Sequence, residues 1–156
     1  VEIGGTIASS AEDNLRLALV PQVAFDDGPV GAFLYDEALV DPWTMSVAGE
    51  PPPDHRDEGA DWAGPVALEF PIAYDDTDHN GRLSGGDNPL YLPCLNDSAV
   101  VLIWTEAPTE LQAALSLSLQ GLRGGWTAVA LHDDGPVQLS SAERANLEVG
   151  PGCSLE

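Results

Sequence analysis

The sequence predicts a mainly β protein, an antiparallel β-sandwich with one short helix near residues 107–120. Short apolar segments alternate with polar or small residues at a period of two, which places side chains two positions apart on one face of a strand. The 16 glycines and 13 prolines separate these segments, as turns separate the short strands of all-β proteins. About eight strands at this spacing favour a sandwich.

Eight segments carry the strand pattern. Leu15, Leu17 and Leu19 alternate strictly and should face a core, while residues 66–72 show the clearest alternation. Residues 99–104 are continuously apolar, as expected of a strand that is covered on both faces. The predicted strands lie within residues 1–7, 15–19, 43–47, 66–72, 99–104, 126–131, 137–139 and 147–149.

One segment, residues 105–122, departs from the strand pattern. Its leucines at 111, 115, 119 and 122 have spacings of four, four and three, which fit one face of a helix. Residues 115–119 also alternate like a strand. Between these two interpretations we favour a helix of roughly three turns near residues 107–120.

We expect residues 1–154 to form a single β-sandwich domain, since 156 residues suit one domain. The acidic, proline-rich stretch 50–61 is interpreted as a long surface loop. Residues 155–156 are interpreted as a cloning scar, and the start at Val1 without Met suggests that a leader was removed or left out. The sequence contains no uninterrupted apolar run of the length that a transmembrane segment needs.

The charge of the chain restricts its partners. It has 26 acidic residues against five basic ones, for a formal net charge of −21. Binding to the phosphate backbone requires clustered Lys and Arg, so the composition excludes nucleic acid as a partner and favours cations. An alternative explanation of the charge is adaptation to high salt, where it preserves solubility.

The two cysteines, Cys94 and Cys153, predict a disulfide. Each lies beside Pro or Gly in an apparent loop, and the pair lacks the spacing of a metal-binding CxxC motif. The alternative is two separate buried thiols. A disulfide would indicate an oxidising compartment, so we expect the protein to be secreted or displayed at the cell surface.

Residues 76–87 have the spacing of a calcium-binding loop. Counting Asp76 as position 1, oxygen-bearing side chains fall at positions 1, 3, 5, 9 and 12, with Gly81 at position 6. Calcium binds six to eight hard oxygen ligands, and a glycine at position 6 permits the sharp turn. Leu83 at position 8 would anchor the loop to a core. The spacing therefore predicts a bound calcium ion, against the alternative of a solvated acidic turn.

The loop resembles an EF-hand loop, and Asp at position 12 makes it most similar to the dockerin-type loops of secreted bacterial proteins. The resemblance implies that Ser84 is a direct or water-mediated ligand and that Arg82, at position 7, is a ligand through its backbone carbonyl. It also implies four side-chain ligands, which are Asp76, Asp78, Asn80 and Asp87.

The flanks of the loop depart from the EF-hand family. A strand is predicted before it, and Pro89 and Pro93 exclude an exiting helix. We therefore expect the loop to join two strands and to hold a structural ion. More broadly, the chain resembles bacterial secreted and lipoprotein-like β-sandwich domains of unassigned function.

Other candidate sites lack a supporting pattern. The histidines at 55, 79 and 132 have no metal-ligand spacing and are expected at the surface, and no GxSxG motif is present. Three of the four tryptophans lie in apolar segments and are expected in the core, which leaves Trp62 as a candidate contact for a sugar ring.

These observations predict a secreted or surface-displayed calcium-binding structural or binding module without catalytic activity. Its expected partners are a calcium ion and either a glycan or an extracellular protein. One alternative is a carbohydrate-binding accessory domain that uses Trp62. A second is a hydrolase, which would require a cleft with converging polar groups.

Overall fold

The protein is mainly β, which confirms the predicted fold class. The computed structural model describes residues 1–8, 14–22, 24, 33–56, 65–106, 109–111, 119–122 and 124–153. Within these residues, eleven strands form one mixed sheet that curls into a half-barrel, and two further strands pair with each other. The strands are β1 Glu2–Ile7, β2 Leu15–Pro21, β3 Asp36–Ala38, β4 Trp43–Ser46, β5 Val66–Asp75, β6 Asn88–Tyr91, β7 Cys94–Leu95, β8 Ser98–Thr105, β9 Thr109–Leu111, β10 Leu119–Leu122, β11 Gly125–His132, β12 Gly135–Gln138 and β13 Leu147–Val149.

The main path through the sheet runs β3-β2-β5-β8-β7-β13-β1-β4, and β6 pairs with β5 while β11 pairs with β8 and β12. The described strand pairs are antiparallel except for β1 with β13, which are parallel with Thr6 opposite Glu148. All eight strands predicted from the sequence are present. The sheet is thus antiparallel, as expected, at every described pair but one.

The core lies between the two ends of the curled sheet. Leu17 on β2 and Leu102 on β8 belong to the same buried cluster as Ile3 on β1, Met45 on β4 and Leu147 on β13. Along the path of the sheet β2 and β8 precede β7, and β13, β1 and β4 follow it. The single curled sheet therefore folds around this core.

Strand β5 has an apolar face that lies outside this main core. Val66 belongs to one small buried cluster and Ile72 to another, and Leu68 and Phe70 pack against these two clusters. The opposite face contributes Ala73 to the main core and carries the buried side chain of Glu69. The clear alternation of β5 thus identified a strand, but both of its faces are covered.

The short helix lies at a different place from the one predicted. Helix α1 spans Ser141–Arg144, and its N-cap Ser140 forms a capping box with Glu143. The prediction of a helix near 107–120 is wrong for residues 109–111 and 119–122, which are the antiparallel strands β9 and β10. Strand pairing satisfies the backbone groups of both segments, which outweighs the helical leucine spacing. Residues 107–108 and 112–118 lie outside the described residues, as do 154–156 with the expected cloning scar.

No helix among the described residues is both long enough and apolar enough to cross a membrane.

Cys94 and Cys153 form the predicted disulfide. Their Cα atoms lie 5.7 Å apart, and 59 positions separate them in the sequence. Cys94 begins β7 opposite Glu148 of β13, and Cys153 ends the 3-10 turn Pro151–Cys153 that follows β13. The bond therefore ties the end of the described chain to the middle of the sheet.

Replacing both cysteines with alanine should lower the free energy of unfolding by about 4 kcal/mol, the chain-entropy value for closing a loop of roughly 60 residues. Urea unfolding of oxidised wild type and of the double variant measures the difference. Wild type unfolded in a strong reductant is the control and should match the variant. A double variant as stable as the oxidised protein would contradict a stabilising role for the bond.

Candidate metal centre

The loop of residues 76–87 joins β5 to β6. These two strands pair with each other at the base of the loop, where Asp75 lies opposite Asn88 and Tyr74 lies opposite Pro89. The predicted placement of the loop between two strands is confirmed, and no helix flanks it on either side. Pairing at the base holds the two ends of the loop together.

Three carboxylates of the loop converge. Asp76, Asp78 and Asp87 each place one oxygen within 4.8 Å of the others, and this triad is the one group of three or more His, Cys, Asp or Glu residues of this kind found in the described part of the chain. Asp76 is buried, Asp87 is half-buried and Asp78 is exposed. Oxygens at this separation could surround a single metal ion.

The backbone of the loop coils around Asp76. Its Oδ1 accepts a hydrogen bond from the backbone N–H of Asn80 at 3.2 Å, and its Oδ2 accepts one from Gly81 at 2.9 Å. Gly81 has a φ of +75°, a conformation that glycine adopts without steric cost. The glycine at position 6 therefore serves the sharp turn for which the sequence predicted it.

Two further predicted ligands meet the same carboxylates. Ser84 Oγ lies 3.1 Å from Asp78 Oδ2 and 3.0 Å from Asp87 Oδ2. Asn80 Nδ2 donates to Asp78 Oδ2 at 2.8 Å, and its Oδ1 accepts from the backbone N–H of Arg82 at 2.8 Å. The structure thus brings five of the six predicted positions together by their side chains. For Arg82 it shows the backbone N–H bond, and a ligand role for its carbonyl stays a prediction.

Hydrogen-bond donors of the loop face the oxygens of Asp78 and Asp87. The backbone N–H of Asn80 is the largest cause that lowers the pKa of Asp78, and the hydroxyl of Ser84 lowers it further. Asp87 accepts from the backbone N–H groups of Thr77 at 3.1 Å and Ser84 at 2.7 Å. These donors hold both side chains in place, and for Asp78 they favour the ionised form, which suits a cation.

Leu83 anchors the loop to the sheet, as its position predicted. Its side chain packs against a buried cluster that includes Val20, Ile72 and Tyr74. Its backbone N–H donates to Asp36 Oδ2 at 2.7 Å. Sequence analysis missed Asp36, which lies 47 positions earlier in the chain and belongs to no local motif.

Asp36 also contacts the end of β5. Tyr74 donates its hydroxyl to Asp36 Oδ1 at 2.7 Å, and Arg16 Nε lies 3.3 Å from the same oxygen. Burial, followed by the hydrogen bond to Asp36, raises the pKa of Tyr74 far above its usual value. The tyrosine therefore stays protonated and remains a donor to the carboxylate.

Comparison of the chain with protein-family models, with curated proteins and with solved structures gave no significant match.

The three histidines are not part of the carboxylate triad of the candidate metal centre. His79 is an exposed loop residue with a φ of +56°, and His132 lies with its Nδ1 2.7 Å from Ser98 Oγ. The surface prediction is confirmed for these two and wrong for His55, which is 1% exposed. The proline-rich sequence around His55 indicated a loop, but the 3-10 turn Pro53–His55 directs this side chain inward.

The tryptophans of the apolar segments pack in or against the core, as predicted. Trp43 and Trp104 are buried, and Trp126 is half-buried with its Nε1 donating to the carbonyl of Gly49 at 2.9 Å. Trp62 lies outside the described residues. A sugar contact at Trp62 therefore stays a prediction.

A groove of about 380 Å³ lies between β1, β4 and α1. Glu2 and Arg144 are the charged residues along its lining. This lining holds one carboxylate and one guanidinium, whereas most glycoside hydrolases use a pair of carboxylates. The hydrolase alternative stays a prediction.

Glu69 of β5 and His55 form a buried acid–histidine pair. Glu69 Oε1 and His55 Nδ1 are 2.7 Å apart, and both side chains are fully buried. Glu69 Oε2 has no hydrogen-bond partner among the described residues. Burial, and secondarily the negative charge of Asp54, raises the pKa of Glu69 to about 8. Sequence analysis missed this pair because Glu69 occupies the polar position of an alternating strand.

The raised pKa of Glu69 makes stability depend on pH. Because the folded protein holds this proton more tightly than the unfolded chain, the contribution is fully present below about pH 4.5 and is lost as the pH rises towards 8. Glu69→Gln should remove this decrease in the free energy of unfolding. For one proton the decrease is at most about 1.4 kcal/mol per pH unit. Urea unfolding of wild type and variant across this range measures it.

The matched control is Glu148→Gln, the same change at an exposed position of β13. Its stability should follow the wild-type dependence on pH. Parallel curves for wild type and Glu69→Gln would show that Glu69 does not exchange a proton on unfolding in this range.

Proposed function

We propose that the 76–87 loop binds a calcium ion and that the protein is a calcium-stabilised structural or binding module without catalytic activity. The observation that carries the proposal is the convergence of Asp76, Asp78 and Asp87 within 4.8 Å. Ser84 places its hydroxyl oxygen against the same carboxylates, and Asn80 contacts Asp78 through its amide nitrogen.

The ligand chemistry favours calcium over other metals. The converging side chains offer oxygen atoms alone, whereas imidazole and thiolate ligands suit zinc and copper. Calcium accepts six to eight oxygens at about 2.3–2.6 Å in a flexible geometry, whereas magnesium demands a near-ideal octahedron and keeps several waters. A loop with carboxylates, an amide and a hydroxyl of unequal reach is better matched to calcium.

An ion in this loop would act mainly on stability. Three carboxylates at this separation repel one another, and a divalent cation would offset the repulsion. The loop ends at β5 and β6, so closing it would also strengthen their pairing. An ion that binds only the folded chain stabilises it by about 2.7 kcal/mol at a hundredfold excess over its dissociation constant.

We place the protein in an extracytoplasmic compartment, secreted or at the cell surface. The Cys94–Cys153 disulfide supports this location because such bonds persist in oxidising environments. Weak calcium loops with millimolar to submillimolar dissociation constants are typical of extracellular modules. The net charge of −21 opposes nucleic-acid binding and leaves calcium as the partner that the described residues support.

Calcium should raise the melting temperature of metal-free protein by about 5–10 °C at a hundredfold excess over its dissociation constant. Asp87→Asn should abolish most of this shift, because it removes a carboxylate that lies between Thr77 and Ser84 in the loop. Differential scanning calorimetry in calcium and in EGTA measures the shift, and mass spectrometry of the native protein gives the number of bound ions.

The matched control is Asp97→Asn, which removes the same charge from an exposed turn whose φ of +67° suits asparagine. It should retain the full shift. An equal loss in both variants would remove the assignment of the ion to the loop. An equal shift with zinc or magnesium at the same concentration would contradict the assignment to calcium, and no shift with any of them would overturn the proposed function.

A further inference from the structure

Asp36 joins two parts of the chain that enclose the metal centre. One carboxylate oxygen accepts from the backbone N–H of Leu83, in the second half of the loop, at 2.7 Å. The other accepts from the hydroxyl of Tyr74, two positions before Asp76, at 2.7 Å. Both oxygens of one side chain are therefore used to connect the entry of the loop with its far side.

Arg16 holds Asp36 in this position. Its Nε lies 3.0 Å from the Tyr74 hydroxyl and 3.3 Å from Asp36 Oδ1, and its Nη2 donates to the Asp36 carbonyl at 2.9 Å. The side chains of Arg16 and Asp36 are 19% and 13% exposed. A charge-assisted network this sheltered from water has a fixed geometry and is costly to leave incomplete.

The strand that carries Asp36 is short. β3 contains three residues at the end of the sheet path, and its pairing places Asp36 opposite Ala18, Glu37 opposite Leu17 and Ala38 opposite Arg16 of β2. So short a strand gains little from its own ladder. The bonds from Asp36 to Leu83 and Tyr74 are an additional attachment for it.

We propose that Asp36 is a positioning residue that holds the 76–87 loop in the conformation in which its carboxylates converge. Its bond to Leu83 fixes the segment between Asn80 and Ser84, both of which contact Asp78. Asp36 has this positioning role both in the metal-free protein and in the protein with a bound ion. The role has a consequence for calcium, which rests on the proposed function. By thermodynamic reciprocity, if an ordered β3 favours ion binding, then a bound ion favours an ordered β3.

The test measures amide hydrogen exchange by NMR in metal-free and calcium-saturated protein. Asp36→Asn leaves a single acceptor oxygen and puts an NH2 donor in place of the other, so this donor faces either the Leu83 N–H or the Arg16 guanidinium and the present set of bonds is weakened. In the metal-free variant the Leu83 amide should exchange at least about tenfold faster than in wild type. The Leu102 amide in β8 reports global opening, and its exchange should change much less.

Glu37→Gln is the matched control, since it removes the same charge from the exposed neighbour of Asp36 on β3. It should leave the Leu83 amide unchanged. Calcium titration should show affinity about tenfold lower for Asp36→Asn, equivalent to about 1.4 kcal/mol, and nearly unchanged for Glu37→Gln. In wild type, calcium should slow exchange at the β3 amides, and Asp36→Asn should lose this effect.

The outcomes separate the two proposals. If wild type binds no calcium, the proposed function fails, and the metal-free Leu83 amide alone decides the role of Asp36. If Leu83 exchanges equally in wild type and Asp36→Asn, or if both bind calcium equally, the positioning role is overturned. Should Asp36→Asn fail to fold, Tyr74→Phe removes only the hydroxyl that orients Asp36 and should speed Leu83 exchange severalfold, whereas an unchanged rate would overturn the role.

Discussion

Mutual repulsion among three carboxylates is the constraint that shapes the candidate metal centre. Asp76, Asp78 and Asp87 place oxygens within 4.8 Å of one another, which costs free energy unless positive charge or hydrogen-bond donors face them. Backbone N–H groups of the coiled loop supply such donors, as do the Asn80 amide and the Ser84 hydroxyl. The hydrogen bonds of the loop therefore already hold it in a shape that is suited to a cation.

Strand β5 links this loop to the rest of the protein. Its end pairs with β6 at the base of the loop, and Tyr74 near that end contacts Asp36. Further back, Glu69 is buried against His55. Strand β5 therefore carries one support of the candidate metal centre and one member of a buried titratable pair, and each depends on a residue from another part of the chain.

The limits of sequence analysis are clear from particular elements. Period-two alternation, together with the continuously apolar run at residues 99–104, identified eight strands, because that period follows from strand geometry. It missed β3, β6 and β7, whose two to four residues contain no alternating pair of apolar side chains. It also left the leucines of residues 109–122 open to a helical interpretation, which pairing between β9 and β10 decided against.

The sequence by itself determined eight of the strands, the turn at Gly81 and the spacing of the oxygen-bearing loop residues, since each depends on near neighbours in the chain. The tertiary structure alone decided that Asp36 supports Leu83 from 47 positions away and that His55 is buried against Glu69. Such contacts arise when distant segments pack together, and no local period encodes them. A polar residue in an alternating strand faces water or a core according to what covers that face of the sheet.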